Sequence, residues 1–259
     1  MTAKVGIVTT LYNYKRYLPE LAKSVFDQSY EDWVWVVVDD ASTDNPEEVY
    51  NKFTDARVYI ITLPKNCGYS VAKNVGIRFA VQALDVEYIT LIDADDVLTP
   101  NSIFDRVAAL EENPDKLWLH ADALNYGLNG EIENTYIKWI ETFRRQFERN
   151  GMDFEKDYHH RLIHSQTTMM RREFYEKLGL YDETLRFSSD NEHYRRAIRF
   201  GIIPMYLKKV VAIYRAHEKR MSRSEYKKKR ILKTKEYIKR IVERRFEEGI
   251  NSSNTEILC

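Results

Sequence analysis

Trp33-Val34-Trp35-Val36-Val37-Val38-Asp39-Asp40 decides the fold class. Six apolar residues are too few for an ordinary helix, and they do not alternate with polar ones. A β-branched run of this kind is a strand covered on both faces, and such strands belong to parallel sheets. The run halts at two aspartates, where a covered strand empties into a loop.

Working outward, the pattern repeats. Val5–Thr10 is a strand ending in the turn Tyr12-Asn13-Tyr14, and Leu18, Leu21, Ala22, Val25 and Phe26 then recur at helical spacing. Asn45 before Pro46, with Glu48 three residues after the Asn, predicts a helix start. Val58–Leu63 predicts a third strand, residues 70–84 a helix, and Tyr88–Ile92 a fourth strand ending in Asp93-Ala94-Asp95-Asp96. Thr99-Pro100 opens a further helix. Repeated strand–helix units predict an α/β fold with a Rossmann-like, mainly parallel sheet flanked by helices.

Beyond Pro114 the pattern loosens. Leu117–Ala123 reads as a strand, Asn129-Gly130 as a hairpin turn, and Asn134–Asn150 as a helix with Tyr136, Ile140, Phe143 and Phe147 on one face. Arg171–Leu178 and Asn191–Phe200 read as short helices, and Ile203–Val211 as a return to the sheet. Ser222 with Glu225 is a capping box. Ile231, Lys235, Ile238, Val242 and Phe246 then share one face until Gly249, which predicts a C-terminal amphipathic helical extension. With no internal repeat and no linker, the chain reads as one domain, 1–220, followed by a basic helix and tail, 221–259.

The 259 residues are enough for a full core. Hydrophobic residues at 44% and aromatics at 13% exclude a disordered chain. Forty basic residues against 40 acidic exclude a generic polyanion binder, but residues 215–248 hold 14 Lys and Arg against six Asp and Glu. Trp33–Val38 is the longest apolar stretch, far short of the roughly 20 residues of a membrane span. The N-terminus has no apolar signal core, and Cys67 and Cys259 offer neither a disulfide framework nor metal spacing. The expectation is a cytoplasmic protein in a reducing compartment, with the basic tail a means of peripheral contact at the inner membrane surface.

Three strand ends carry polar clusters: Thr10-Leu11-Tyr12-Asn13, Asp39 to Asp44, and Asp93-Ala94-Asp95-Asp96. Each alone is ordinary loop chemistry. Together at one sheet edge they place like charges side by side, which costs free energy unless a cation is bound, and Asp-x-Asp suits hard Mg²⁺ or Mn²⁺. No Gly-x-Gly-x-x-Gly follows the first strand, and the phosphate-loop lysine motif is absent. The pattern points to a phosphate-bearing ligand held through a metal.

At these residues the chain resembles a known family. VTTLYN (8–13), SVFDQSYEDWVWVVVDDASTD (24–44), NCGYSVAKNVGI (66–77), YITLIDADD (88–96), MMRREFYEKLGLYDE (169–183), FSSDNEHYRRAIRFG (187–201) and IYRAH (213–217) are similar, in order and spacing, to the inverting glycosyltransferases of family 2. The resemblance covers roughly 4–220. It implies the GT-A fold, with residues 1–115 as the nucleotide-sugar-binding half and 116–220 as the acceptor-binding half. It further implies that Thr10 and Tyr12 hold the nucleotide base, Tyr12 by stacking, and that Asp40 accepts from the base. A carboxylate is acceptor-only, which suits the N3–H of uracil. Asp39 is then structural.

The resemblance places Lys73 near the diphosphate, with a solvated helix lysine as the alternative. In Asp93-Ala94-Asp95, Asp93 meets the ribose or sugar, Asp95 coordinates Mn²⁺ or Mg²⁺, and Asp96 supports the loop. Asp190 matches the general base, where many relatives carry an acidic residue in place of Ser189. Glu192 is the fallback, and a helix N-cap is the plain alternative for Asp190. His217 matches a histidine that completes the metal shell in some relatives. His159, His160 and His164 lack a further ligand for zinc, although His164 could face the acceptor pocket.

All four tryptophans lie before residue 140, so the late Gln/Arg-x-x-Arg-Trp element of processive synthases is absent. The leading expectation is a metal-dependent, inverting transferase that moves one sugar from a nucleotide-sugar, UDP-linked by preference. The acceptor hydroxyl would belong to a glycan, a lipid-linked sugar or another molecule. Nucleotidyl transfer would want a Gly-rich basic loop where Leu11-Tyr12-Asn13-Tyr14 stands. A non-catalytic sugar-binding module and a transferase acting on modified nucleic-acid bases stay open. So do three uses of the basic tail: packing on the body, membrane contact and nucleic-acid contact.

Overall fold

In a computed structural model the protein is described at residues 4–127, 131–133, 163–185, 188–215 and 217, with helical pieces between 137 and 150 and at 242–243. The capping box at Ser222, the hairpin turn at Asn129-Gly130, the apolar face of 134–150 and His159 and His160 lie outside the described residues.

The strands are β1 (Val5–Leu11), β2 (Trp33–Asp39), β3 (Val58–Thr62), β4 (Tyr88–Leu91), β5 (Val97–Leu98), β6 (Trp118–Tyr126), β7 (Ile132–Glu133), β8 (Met169–Arg171) and β9 (Met205–Arg215). The helices are α1 (Leu18–Phe26), α2 (Glu47–Tyr50), α3 (Tyr69–Arg78), α4 (Ser102–Glu112), α5 (Arg172–Leu178) and α6 (Ser189–Arg199). They build one sheet in the order β3-β2-β1-β4-β8-β6-β9-β5, with β7 paired to β6.

The expected parallel sheet is present in the first half only. β1 pairs parallel with β2 and β4, and β2 with β3. From β8 onward the sheet is mixed: β8 runs antiparallel to both β4 and β6, β9 runs parallel to β6, and β5 closes antiparallel on β9. β6 and β7 pair antiparallel on either side of residues 128–130.

Every residue of β2 is buried, as a strand covered on both faces requires. Trp33, Trp35 and Val37 join the cluster that packs against α1, while Val34, Val36 and Val38 join the one beneath α3. Two positions admit only glycine without cost. Gly68 opens α3 at φ 99°, and Gly76 lets α3 settle on β1, because a Cβ there would lie 2.5 Å from Val8 Cγ1. The expected helix 70–84 becomes α3 followed by a π-helical turn at Phe79–Ala83.

Among the described residues no helix is long and apolar enough to cross a membrane. In the tail, Val242 is fully buried against Leu185, and Glu243 accepts from Arg199 at 3.0 Å. At that point the helix packs on the body.

Gly76→Ala tests the α3–β1 approach. Overpacking costs about 1–3 kcal/mol, more than the helix-propensity gain of roughly 1 kcal/mol. Urea unfolding is expected to show a lower midpoint with an unchanged slope.

Candidate active site

The carboxyl ends of β1, β2 and β4 open onto one edge of the sheet, where open α/β folds bind ligands. Two loops there are stitched together. Asn13 Oδ1 accepts from the Thr43 amide at 2.7 Å, Asn13 N donates to Ser42 Oγ, and Lys15 N donates to Asp44 Oδ2 at 2.9 Å. Asn13, Ala41 and Asn45 take positive φ in these turns. A cleft of about 620 Å³ opens between them, walled by Tyr14. Thr10 is half-buried at the end of β1, and Tyr12 is exposed at 45%, its ring free to stack.

Asp39 behaves as the structural residue expected: its carboxylate accepts from Ser42 N at 2.9 Å and faces the Tyr50 hydroxyl. Asp40 is also buried, and its two oxygens accept from the amides of Cys67 and Gly68 at 2.6 and 2.9 Å. It therefore anchors the loop that starts α3.

The loop after β4 gathers Asp93, Asp95 and Asp96, whose oxygens lie within 4.8 Å of one another. Tyr69 Oη donates to Asp93 Oδ1 at 2.7 Å, and Gln166 Nε2 to Oδ2 at 2.5 Å, which fixes that carboxylate in orientation. Asp96 Oδ1 accepts from the Arg215 amide at 2.8 Å, and Arg215 Nε donates to the Asp95 carbonyl at 3.0 Å. The end of β9 is thereby clasped to the acidic loop, which brings His217 Nε2 to 2.7 Å from Asp95 Oδ2. The His217 ring sits between Tyr14 and Tyr17, with centroids at 5.6 and 5.3 Å.

Burial pushes the Asp93 carboxyl up to about 6; Lys73 opposes the rise, while Asp95 and Asp190 add to it. Burial, then Asp95 and Asp93, push Asp96 well above the usual carboxylate range. Asp96 Oδ2 and His217 Nδ1 are buried without a partner among the described residues. Three hard oxygen donors, an unpaired buried oxygen and an adjacent imidazole fit a divalent cation such as Mg²⁺ or Mn²⁺.

Across the site stands α6. Its N-cap is Ser188, in the left-handed region at φ 59°, so Asp190 is not the cap that its position suggested but the second helical residue. The Asp190 carboxylate accepts from Lys73 Nζ at 2.5 Å. Lys73 is not solvated: it is 1% exposed, with its ammonium 4.0 Å from the Tyr69 ring centroid and 4.9 Å from that of Tyr181. Glu192 is the wrong place for a base, since it is fully buried and its oxygens bind the Arg196 guanidinium at 2.7 and 3.1 Å. His164 packs edge-on against Tyr214 at 4.7 Å, and burial pushes its imidazole down to about 4.

Tyr69 and Gln166 are site residues that the sequence reading did not single out. Tyr69 carries a signal, because it lies one helical turn before Lys73 on the same face. Gln166 carries none, since only the fold brings it to Asp93.

Fold and site together define an α/β chain whose candidate site lies at the carboxyl edge of its parallel strands. The chain belongs to glycosyl transferase family 2, whose profile matches residues 6–179. It is 35% identical over 105 residues to glycosyltransferase GlyG of Streptococcus pneumoniae, a match covering 40% of this chain and 34% of that protein. It is 32% identical over 94 residues to the putative teichuronic acid biosynthesis glycosyltransferase TuaG of Bacillus subtilis, covering 36% of each. These matches span about a third of the relatives' lengths. Among solved structures, S. aureus TarS in complex with UDP-GlcNAc aligns over 84% of this chain and 60% of that one, with TM-score 0.65 and 18% identity. The mannosyltransferase PcManGT from Pyrobaculum calidifontis, in complex with GDP-Man and Mn²⁺, aligns over 85% and 59%, with TM-score 0.65 and 17% identity. The fold is thus the GT-A fold that the resemblance implied.

The raised Asp93 makes stability pH-dependent in metal-free protein. Between the ordinary value of 3.8 and about 6, the folded state holds a proton that the unfolded chain has lost. Stability therefore falls as pH rises through this window. In EDTA, Asp93→Asn is expected to melt several degrees above wild type at pH 8, with the gap closing below about pH 4. Equal melting at pH 8 would show that the carboxylate is under no electrostatic load.

Proposed function

We propose that this protein is a glycosyltransferase, metal-dependent and inverting, and that it adds a single sugar from a nucleotide-sugar, with UDP-sugars preferred. The observation that carries the reading is the placement of Asp190 opposite the Asp93–Asp95–Asp96 cluster, with Lys73 between. Inversion needs one base on the acceptor side and an electrophilic site for the departing diphosphate on the other.

In this reading residues 1–115 hold the donor and 116–220 the acceptor. Thr10 and Tyr12 flank the base, Asp40 accepts from it, and Asp93 orients the ribose or sugar. Asp95 and His217 hold Mn²⁺ or Mg²⁺, which when bound supplies Lewis-acid neutralisation of the leaving group. His217 Nε2 lies 2.7 Å from Asp95 Oδ2, so the two would hold the cation side by side. Asp190 takes the proton of the acceptor hydroxyl as the new glycosidic bond forms. Its partial exposure, 27% at the side chain, leaves it open to an incoming acceptor. A glycan or lipid-linked sugar is the acceptor class that the family resemblance favours. The uracil preference rests on Asp40 as a pure acceptor, and TarS supports it as a neighbour solved with UDP-GlcNAc.

UDP with Mn²⁺ is expected to raise the melting temperature beyond either alone, and CDP less so. Asp95→Ala should abolish the metal-dependent part of that shift while leaving the ligand-free melt close to wild type. Equal stabilisation by CDP and UDP would remove the role given to Asp40.

Asp190→Asn keeps the size of the side chain and removes its basicity. Loss of general-base help is worth about 10²–10⁴-fold in turnover, with nucleotide binding retained. The anomeric configuration of the product, read by NMR, checks inversion. Retention of the donor's configuration would exclude a single base.

A further inference from the structure

Lys73 stands between two carboxylates. It donates to Asp190 Oδ1, and it is the largest charged influence on Asp93. Its ammonium is enclosed by the rings of Tyr69 and Tyr181, and Tyr69 in turn donates to Asp93. A chain of contacts thus joins the acidic loop to the candidate base.

An acceptor hydroxyl approaching Asp190 must compete with that ammonium, because a carboxylate that is paired with a cation holds an incoming proton poorly. Lys73 cannot simply leave, since a buried cation without a counter-charge is costly. Nor is Asp93 already in place as a replacement: among the described residues it accepts from Tyr69 and Gln166 and makes no ion pair with Lys73. Relief has to come from an anion that arrives with the substrate.

We propose that Lys73 is an interlock between donor and base: with the donor site empty it holds Asp190, and a nucleoside diphosphate entering beside Asp93 takes over the ammonium and frees Asp190 for the acceptor. This rests on the reading of the site as a nucleotide-sugar site. Lys73 is a positioning residue here, acting through Asp190. The consequence is an order of events, donor before acceptor. It also carries a cost: the donor must break the Lys73–Asp190 pair in order to bind.

That cost is measurable without turnover. UDP, GDP and CDP, each with Mn²⁺, are titrated calorimetrically into wild type, and the tightest binder is titrated into Asp190→Asn, Lys73→Met and the double variant. The interlock requires Asp190→Asn to bind about three- to tenfold tighter than wild type, since its ammonium is already free. In the Lys73→Met background the same substitution should change affinity by less than about twofold. The matching nucleoside, which lacks phosphates, should bind wild type and Asp190→Asn alike.

Equal affinity of wild type and Asp190→Asn overturns the interlock and leaves the donor reading standing. An undiminished gain in the Lys73→Met background overturns it too, because the gain is then plain relief of repulsion between Asp190 and the diphosphate. If none of the three nucleotides binds wild type, donor reading and interlock fall together. Lys73→Gln replaces Lys73→Met should the latter not melt cooperatively, and equal affinity of wild type and Asp190→Asn overturns the interlock without either.

Discussion

Ser70, Lys73 and Asn74 make a buried polar face on α3, and each reaches the segment 181–190. Ser70 Oγ donates to the Leu185 carbonyl at 2.6 Å. Asn74 exchanges hydrogen bonds with the Tyr181 backbone and donates to Glu183, and Lys73 meets Asp190. A hydroxyl, an amide and an ammonium taken from water together cost far more than they return unless each finds a partner. The helix cannot sit where it does without that segment opposite. Since α3 is fixed on β1 through Gly76 and to the end of β2 through Asp40, the position of Asp190 is referred directly to the parallel strands. Two halves of the fold that are distant in sequence share one frame of reference.

Electrostatics explains why that frame must be stiff. Asp93, Asp95, Asp96 and Asp190 converge where, among the described residues, Lys73 and Arg215 are nearby permanent cations. Arg215 serves the loop through its own amide and Nε, while its guanidinium also binds Glu20 at 2.6 Å. Burial raises the Asp93 and Asp96 carboxyls first, and their acidic neighbours add to the rise. Such an arrangement costs stability in the ligand-free protein and strengthens the pull on a divalent cation. Perturbed groups of this kind gather where a protein binds charge.

Much of this was legible in the sequence, for physical reasons. β1, β2 and β4 are buried strands with apolar runs, β2 and β4 ending in acidic loops, and the helices between them show periodic faces. Local pattern therefore carried the parallel half. It could not carry β5 and β8, which have two and three residues and exist through pairing with strands far away in sequence. Nor could it separate Asp190 from Glu192. Both are acidic residues in the first turn of one helix, and only the buried guanidinium of Arg196 commits Glu192 to structure. Lys73 read equally well as solvated, because its buried surroundings are supplied by Tyr181 and Asp190, more than a hundred residues later.

The tail shows the same dependence on distant partners. Val242 was placed on an apolar stripe by spacing alone, and it is buried against Leu185, whose carbonyl also accepts from Ser70. One residue thus touches both the tail and the polar face of α3. Arg199, at the end of the helix that begins beside Asp190, pairs with Glu243, one of the few acids in a basic segment. Both partners are about half exposed, so the pair adds little stability. What it adds is register: an acid placed next to a buried valine meets the C-terminal end of α6, where the helix dipole favours a cation such as Arg199. Packing at Val242 and charge at Glu243 select the same docking, and it sets the tail against the helix that bears the candidate base.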